Sequence, residues 1–336
     1  MRILVLSRNA ALYSTSRLVL GARARGHDVS VIDPLDFQIV VTRGKPSLHV
    51  WGAKVGRFDL VIPRIGASIT NYGLAVVRQF DLMGVPVLNG AVAIARSRDK
   101  LRALQLLTRG GLDVPTTVCA RSPGGLDAAL SLVGGCPAIV KLQQGTQGIG
   151  TMIAETPQSM NALLETLWAM GQDIILQEYV RESKGRDVRA IVVGGRVVAS
   201  MRRVAKKGEF RSNLHRGGTG GAVVLTASYR NMAIRAAKLM GLEVAGVDML
   251  EGRRGPRMLE VNSSPGLEGI ERATGIDVAG AIIDYAESFA RKNRRITRAH
   301  IDKRIDNVVK DERLDRSRAK PSRASGKSKP KRTSAK

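Results

Sequence analysis

The residues with the clearest chemical potential lie late in the chain and are acidic. Glu260 and Asn262 are two positions apart in the run RMLEVN, and Asp248 lies in the preceding run GVDMLE. Residues two apart on a strand point to the same face, and the short EGRRGP turn predicts that the two strands pair. Oxygen ligands of this kind suit Mg²⁺ or Mn²⁺. The spacing therefore predicts a hard-cation site, with three polar residues on a solvated sheet face as the alternative.

A glycine-rich loop, QQGTQGIG, follows the apolar run PAIVKL. Gly145, Gly148 and Gly150 leave backbone N–H groups open to a phosphate, and Lys141 supplies a positive charge beside them. The loop is not a GxxxxGK(S/T) sequence, and the residues after the first strand, SRNAALYS, contain no GxGxxG dinucleotide fingerprint. The loop thus predicts a phosphate contact of another kind, with a plain hairpin turn as the alternative.

Basic residues are concentrated in a predicted hairpin and in the segment after it. Arginine forks suit phosphates and carboxylates, and a solvated basic surface is the alternative. Asp187 lies two positions before Arg189, so the two side chains share a strand face. The basic residues are Arg189, Arg202, Arg203, Lys206, Lys207, Arg211 and Arg216.

Three successive α/β units would position these residues. Along residues 1–95 the apolar runs RILVLS, HDVSVID, FDLVIPRI and VPVLNG alternate with helical patterns, which predicts a parallel, doubly wound sheet. A second unit opens near Ser97, predicted as a helix N-cap, and a third begins with DIILQEYV and continues as a hairpin that turns at Gly194 and Gly195. A Mg-nucleotide would lie between the second and third units. Helices are predicted at 14–25, 71–84, 124–133, 228–241 and 277–292.

The composition indicates a globular, cytosolic protein. Of 336 residues, 43% are hydrophobic and 25% charged, which excludes a wholly disordered or fibrous chain. Two separated cysteines, Cys119 and Cys136, indicate reduced thiols, and four scattered histidines argue against a zinc site. No apolar run reaches the roughly 18 residues that a membrane span needs. The sequence therefore predicts a cytoplasmic protein with no membrane partner.

About half of the net charge of +25 lies near the C-terminus. Residues 291–336 carry 18 Lys and Arg against 5 Asp and Glu, and the final stretch has no apolar face. Such a composition predicts a disordered basic tail. The tail would attract RNA phosphates without reading sequence, and a solubilising tail with no specific partner is the alternative.

Seven segments, taken in order, resemble the ATP-grasp superfamily and in particular its RimK branch of glutamate ligases. The resemblance covers about residues 1–292. It implies an α/β ATP-grasp fold with a Rossmann-like pre-ATP-grasp domain at 1–95, two ATP-grasp subdomains at 96–172 and 173–292, and the tail at 293–336. The segments are SRDKLRALQLL, PAIVKLQQGTQGIG, ILQEYV, GRDVRAIVVGG, MRRVAKKGEFRSNLHRGG, GVDML and LEVNSSPGLEGIE.

The resemblance also implies a role for each of a set of residues. Lys100 and Lys141 would contact the ATP phosphates beneath the glycine-rich loop. Arg202 would act beside Lys141 in catalysis and steady the transferring phosphate and the tetrahedral centre. The other implied contacts are the adenine hinge Gln177, Glu178, Tyr179 and Val180, the ribose ligand Asp187, the nucleotide and acceptor side Arg211, Ser212 and Asn213, and the metal ligands Asp248, Glu260 and Asn262.

The implied reaction joins glutamate to the C-terminus of the sixth protein of the small ribosomal subunit through an acylphosphate, releasing ADP and phosphate. ATP and two Mg²⁺ or Mn²⁺ ions would serve it, and the enzyme would be a homo-oligomer. Two alternatives stay open: a sibling ligase acting on a carrier protein or small peptide, and a non-enzymatic protein that binds the ribosome or RNA. The metal-ligand set argues against the last, because binding alone needs no such residues.

Overall fold

The computed structural model describes residues 1–120, 125–143, 150–214 and 217–293. The chain divides into one unit of Met1–Arg291 and a second of Lys292–Lys336. Gly145, Gly148, Arg216 and the tail beyond residue 293 lie outside the described residues. None of the described helices combines the length and the apolar character that crossing a membrane requires.

The N-terminal part of the first unit is built on a parallel sheet of order β2-β1-β6. Alternate residues of β1 enter two cores: Ile3 packs with Leu18 of α1, and Leu4 packs with Phe80 of α2. Helices therefore cover both faces, as the sequence predicts. The elements are β1 (Arg2–Leu6), α1 (Tyr13–Ala24), β2 (Asp28–Ile32), β3 (Phe37–Val40), β4 (Ser47–Val50), β5 (Ala53–Lys54), β6 (Leu60–Pro63), α2 (Thr70–Leu82) and α3 (Ala91–Arg98).

One prediction for this part needs correction, and one small sheet is not predicted from the sequence. The run VPVLNG is not a full strand, because it contributes only an isolated parallel bridge between Val61 and Val87. Residues 37–54, for which no sheet is predicted, form the small antiparallel sheet β3-β4-β5.

The middle part carries an antiparallel sheet of order β7-β10-β8-β9. The Ser97 cap prediction is wrong: Ser97 lies in the last turn of α3, where its hydroxyl donates to Ile94 O, and Asp99 caps the next helix by accepting from Arg102 N. Thr156 caps the helix that begins at Pro157, through a capping box with Ser159. The elements are α4 (Lys100–Arg109), β7 (Thr117–Ala120), α5 (Leu126–Leu132), β8 (Ala138–Leu142), β9 (Thr151–Ala154), α6 (Pro157–Ala169) and β10 (Ile174–Glu178).

The last part carries an antiparallel sheet of order β13-β12-β11-β14-β15. The predicted hairpin turn is confirmed, since Gly194 and Gly195 both have positive φ, at 57° and 76°. The predicted pairing of the two acidic strands is also confirmed. The elements are β11 (Arg186–Val193), β12 (Arg196–Val204), β13 (Thr219–Ala222), α7 (Ala227–Met240), β14 (Val244–Gly252), β15 (Gly255–Asn262), α8 (Glu268–Thr274) and α9 (278–293).

The five-stranded sheet has two differently covered faces. On one face, Val247 packs with Met240 of α7. On the other, Ile191 shares a core with Ile282 of α9 and Ile3 of β1. Asp187 and Arg189 lie on the same face of β11 as Ile191, because alternate residues of a strand point to one side. The N-terminal sheet therefore packs against the face of the five-stranded sheet that also carries Asp187 and Arg189.

Candidate active site

A cleft of about 220 Å³ lies between the four-stranded and five-stranded sheets. Strands β8 and β10 supply one wall, and β11, β14 and β15 supply the other. Most of the predicted site residues line this cleft, although they are scattered over 163 positions of sequence between the first and the last of them. They are Lys100, Lys141, Gln177, Glu178, Tyr179, Val180, Asp187, Arg211, Ser212, Asn213, Asp248, Glu260 and Asn262.

The acidic residues meet because of strand register. Asp248 of β14 is paired directly with Glu260 of β15, and Gly246 is paired with Asn262. Directly opposed residues of an antiparallel pair share a face, so the two carboxylates and the amide converge. Asn262 donates through Nδ2 to Glu260 Oε1 at 3.0 Å.

The two carboxylates have opposite electrostatic environments. Burial works to raise the pKa of Asp248, but the charges of Arg189 and Arg203 outweigh it and hold that pKa well below its ordinary range. Glu260 lines the cleft and is exposed to solvent. Its pKa is raised by desolvation and then by the negative charge of Asp248. A cation between the two groups would relieve that repulsion.

Arg203 contacts both buried aspartates of the cleft. Its guanidinium donates to both oxygens of Asp187 at 2.6 Å and to Asp248 at 2.9 Å. Ser212 donates to the same Asp187 carboxylate at 2.6 Å. Arg189 forms a second fork on Asp248, at 2.7 and 2.6 Å. Such charge-assisted forks fix orientation, so Asp187 is held as the partner of Arg203.

Arg202, the arginine that the resemblance selects, is not brought into the cleft. Its guanidinium donates to Glu251 at 2.7 Å, and 46% of its side chain is exposed. The side chain of Arg203, one position later, is 4% exposed. Adjacent residues of a strand face opposite sides, and the cleft side belongs to Arg203.

The lysines are held on the opposite wall. Lys141 donates to Gln177 Oε1 at 2.7 Å, and Gln177 in turn donates to Thr117 at 2.9 Å. Lys100 donates to Leu142 O at 2.7 Å. Burial lowers the pKa of Lys141 to about 8, and the neighbouring charge of Lys100 adds to this effect. Two desolvated lysines aimed into one cleft favour an anionic ligand.

The predicted hinge residues form the end of β10 and the two positions after it. The side chain of Glu178 accepts from Arg257 and from Thr116 N, and its backbone N–H donates to Thr116 O at 2.9 Å. These bonds tie the end of β10 to the edge of the sheet. Tyr179 and the buried Val180 continue along the cleft wall.

Two further predicted residues support the entrance. Arg211 binds Glu209 and donates to Thr151 O at 3.3 Å, which links it to β9. Gly150 has a φ of +74°, and a Cβ there would lie 2.9 Å from the side chain of Leu142. Glycine is thus required at the end of the loop, where Leu142 N donates to Gly150 O.

The donor chemistry at the acidic end fits a hard cation. The described residues hold no cluster of three or more His, Cys, Asp or Glu that could bind a metal. An ion would therefore depend on the carboxylates of Asp248 and Glu260 with the amide oxygen of Asn262. Few protein oxygens combined with phosphate oxygens are typical of Mg²⁺ sites.

Two family models match most of the chain. The RimK PreATP-grasp domain matches residues 1–94, and the RimK-like ATP-grasp domain matches residues 97–286. The probable alpha-L-glutamate ligase of Thioalkalivibrio sulfidiphilus is 53% identical over 298 residues, covering 89% of this chain and 99% of that protein. Probable alpha-L-glutamate ligase 2 of Shewanella baltica is 52% identical over 299 residues, with the same coverage.

Solved structures agree on the fold. The ATP-grasp ligase PsnB, complexed with a phosphomimetic variant of minimal precursor, Mg and ADP, aligns with a TM-score of 0.67 and 25% identity over 86% of this chain and 98% of that one. The D-alanine–D-alanine ligase of Bacillus anthracis, complexed with ATP, aligns with a TM-score of 0.63 and 17% identity over 88% and 99%. The predicted fold class is confirmed. The chain therefore belongs to the RimK family of ATP-grasp ligases and is an ATP-dependent carbon–nitrogen ligase.

Proposed function

We propose that this ligase adds glutamate to the C-terminal carboxylate of a protein, the sixth protein of the small ribosomal subunit. One observation carries the proposal: two desolvated lysines on one wall of the cleft face a buried carboxylate–arginine network on the other wall. The glutamate ligase names of the relatives support the amino acid. The precursor bound to PsnB supports a polypeptide acceptor.

In the proposed reaction an oxygen of the acceptor carboxylate attacks the γ-phosphorus of ATP, and the bond to the β–γ bridging oxygen breaks to release ADP. The glutamate amine then attacks the acyl carbon, loses a proton and expels phosphate. Lys141 and Lys100 would neutralise the ATP phosphates, with Gln177 orienting Lys141. Asp248, Glu260 and Asn262 would hold two Mg²⁺ or Mn²⁺ ions. Metal charge at that position would offset the charge of the transferring phosphate.

Arg203 is the arginine that the proposal places at the transferring phosphate. Nε and Nη2 are engaged by Asp187 and Asp248, and within the described ranges Nη1 has no partner, so Nη1 would face the substrate. The role proposed for Asp187 is to fix this guanidinium, since its own oxygens already accept bonds from Arg203 and Ser212. A donor held before the reaction begins stabilises developing oxyanion charge most effectively.

Intact-mass spectrometry tests the proposed function directly. Incubating the ribosomal protein with the enzyme, ATP, Mg²⁺ and glutamate is expected to give ATP-dependent mass steps of one glutamyl residue. An acceptor whose C-terminus is amidated should show none, because it lacks the attacking carboxylate. ATP consumption with other acceptors but not with this one would favour the sibling ligase, whereas no ligation with any acceptor would contradict the proposal.

ATP affinity is expected to fall as pH rises above about 8. The pKa of Lys141 is lowered to about 8, so the free enzyme loses this charge above that pH, while bound phosphate favours the charged form. The fall should approach about tenfold per pH unit, measured as the Kd of a non-hydrolysable ATP analogue with Mg²⁺. Lys141→Arg, which stays charged, should flatten the profile. An unchanged profile in that variant would remove Lys141 from the phosphate site.

Three predictions from the sequence concern features beyond this cleft. They are the contact of the basic tail with RNA, assembly into a homo-oligomer and a cytoplasmic location. They remain predictions.

A further inference from the structure

The carboxyl ends of the N-terminal strands meet the segment that follows β15. In the order β2-β1-β6, β1 has neighbours on both sides, so the chain leaves it in one direction to β2 and returns on the other side in β6. Ligands of open parallel sheets bind at such a switch point, outside the carboxyl ends of the strands. Arg64 follows β6 directly, and its backbone N–H donates to Leu6 O at the end of β1 at 2.8 Å. Arg64 therefore stands at the switch point.

Two arginines come together there. The Arg64 guanidinium donates to Pro265 O at 2.7 Å, just beyond β15. The guanidinium of Arg98, which lines the cleft, donates to the carbonyl of Ile65, the neighbour of Arg64. Neither arginine has an ion-pair partner among the described residues. Two half-buried cations are thus close to each other, and one of them, Arg98, lines the cleft.

Their surroundings make this arrangement costly without an anion. Burial, and then the charge of Arg98, lowers the pKa of Arg64 to about 10. Burial also lowers the pKa of Arg98, and the acidic residue that opposes this is Glu260, which the proposed function assigns to the metal. Half-buried guanidinium groups are stabilised by carboxylate or phosphate partners.

Two serines that precede Pro265 in the sequence also carry hydroxyls without a partner among the described residues. The Oγ atoms of Ser263 and Ser264 are buried and have no hydrogen-bond partner in the described part of the chain. Ser263 is only 5% exposed, and Asn89 fixes its backbone by donating to its carbonyl at 3.0 Å. Both serines immediately precede Pro265, the residue that Arg64 binds. Buried hydroxyls usually find a partner, so their position indicates a ligand.

We propose that Arg64, Arg98, Ser263 and Ser264 form a subsite for a substrate carboxylate, which rests on the ligase function proposed above. The two lysines already serve the phosphates on the other wall, and guanidinium forks match the planar geometry of a carboxylate. A carboxylate at this subsite would adjoin Asn262 and hence the metal end of the cleft. Free glutamate and the C-terminus of the acceptor both carry such a group.

Steady-state kinetics show whether glutamate or the acceptor C-terminus supplies the carboxylate. In Arg98→Gln, Ser263→Ala and Ser264→Ala, one KM is expected to rise roughly 10- to 100-fold, the range for a lost hydrogen bond to a charged group, with KM for ATP unchanged. A rise in KM for glutamate assigns the subsite to glutamate, and a rise in KM for the acceptor assigns it to the C-terminus. Arg272→Gln, which removes an exposed arginine paired with Glu268, is the matched control and should change neither.

Stability distinguishes loss of a ligand contact from loss of structure. The serine variants delete unpaired hydroxyls, so their Tm should equal or exceed that of the unmodified chain. Unchanged KM values in all three variants, or a rise in the KM for ATP alone, would overturn the subsite. The proposed function would still stand if the unmodified enzyme added glutamyl residues to the acceptor.

Direct binding keeps the test independent of turnover. Titration calorimetry of glutamate, glutarate and an acceptor peptide, with Mg²⁺ and a non-hydrolysable ATP analogue present, should show that at least one carboxylate probe binds the unmodified chain. The same probe should bind Arg98→Gln roughly 10-fold more weakly or worse. Equal binding by both chains, or binding of no probe to the unmodified chain, would overturn the subsite whatever the ligase assay shows.

Discussion

Glu260→Gln is expected to reduce ligase turnover by at least about 100-fold while leaving the folded chain as stable as before or slightly more stable. The change removes one of two carboxylates proposed to hold the metal, and even indirect disturbance of metal ligands costs about 10- to 100-fold. The side chain keeps its size, and Asn262 can still contact it. Initial rates of ATP-dependent glutamyl addition measure the loss.

The stability half of this prediction has a definite sign. Folding raises the pKa of Glu260 through desolvation and the Asp248 charge, so the ionised carboxylate disfavours the folded state at neutral pH. That penalty is absent below the ordinary carboxyl range and grows as pH rises through it. Glutamine removes the penalty, so the Tm difference between variant and parent should be zero or positive near pH 7 and should shrink on acidification.

Metal binding supplies a readout besides activity. Mg²⁺ should raise the Tm of the parent chain in the presence of an ATP analogue, since a ligand specific for the folded state stabilises it, and should do so much less in Glu260→Gln. Glu251→Gln is the matched control: it lies on the neighbouring strand, outside the cleft, and pairs with Arg202. If Glu260→Gln turned over normally, Glu260 would not be a metal ligand.

The sequence predicts those parts of the site that depend on local periodicity. Glu260 and Asn262 share a face because they are two apart on one strand. The short turn brings the strand of Asp248 alongside, but a β-bulge between Asp248 and Met249 sets the register that places Asp248 opposite Glu260. The composition of the glycine turn at Gly194 and Gly195 predicts the hairpin in the same way. The shared face of Glu260 and Asn262 and the turn at Gly194 and Gly195 need no information from distant segments.

Register is where local periodicity is insufficient. A regular ladder from the two-residue turn, which pairs Val193 with Arg196, would place Arg202 opposite Asp187. A β-bulge between Ile191 and Val192 shifts the pairing by one residue, and Asp187 is opposite Arg203. A one-residue slip exchanges the faces of a strand, and bulges are frequent beside active sites. Whether Arg202 or Arg203 faces the cleft thus depends on a β-bulge that the amino-acid sequence does not predict.

The carboxylate subsite could not be read from the sequence for a different reason. Arg64, Arg98 and Ser263 come from three separate parts of the chain and meet only because the N-terminal sheet packs on the five-stranded sheet. No spacing links them. The signal that finds them is energetic, namely polar atoms buried without partners.

Arg203→Met and Arg202→Met are expected to differ sharply, although the two residues are adjacent. Arg203→Met deprives the buried Asp187 carboxylate of both hydrogen bonds of its fork and Asp248 of one bond. Breaking a buried ion pair costs roughly 3–5 kcal/mol of unfolding free energy, and losing a donor at the oxyanion costs about 10²- to 10³-fold in kcat. Arg202→Met breaks a surface pair with Glu251, which costs less than about 1 kcal/mol.

A third variant separates the structural role of Arg203 from its catalytic role. Arg203→Lys keeps one positive charge beside Asp187 and Asp248 but cannot make the fork, so it should recover part of the stability and little of the turnover. Denaturant unfolding and single-turnover ligation measure the two quantities independently. A stable, fully active Arg203→Met together with an inactive, stable Arg202→Met would return the catalytic role to Arg202. It would also require the β12 register to change when substrates bind, because only a one-residue slip brings Arg202 to the face that holds Asp187.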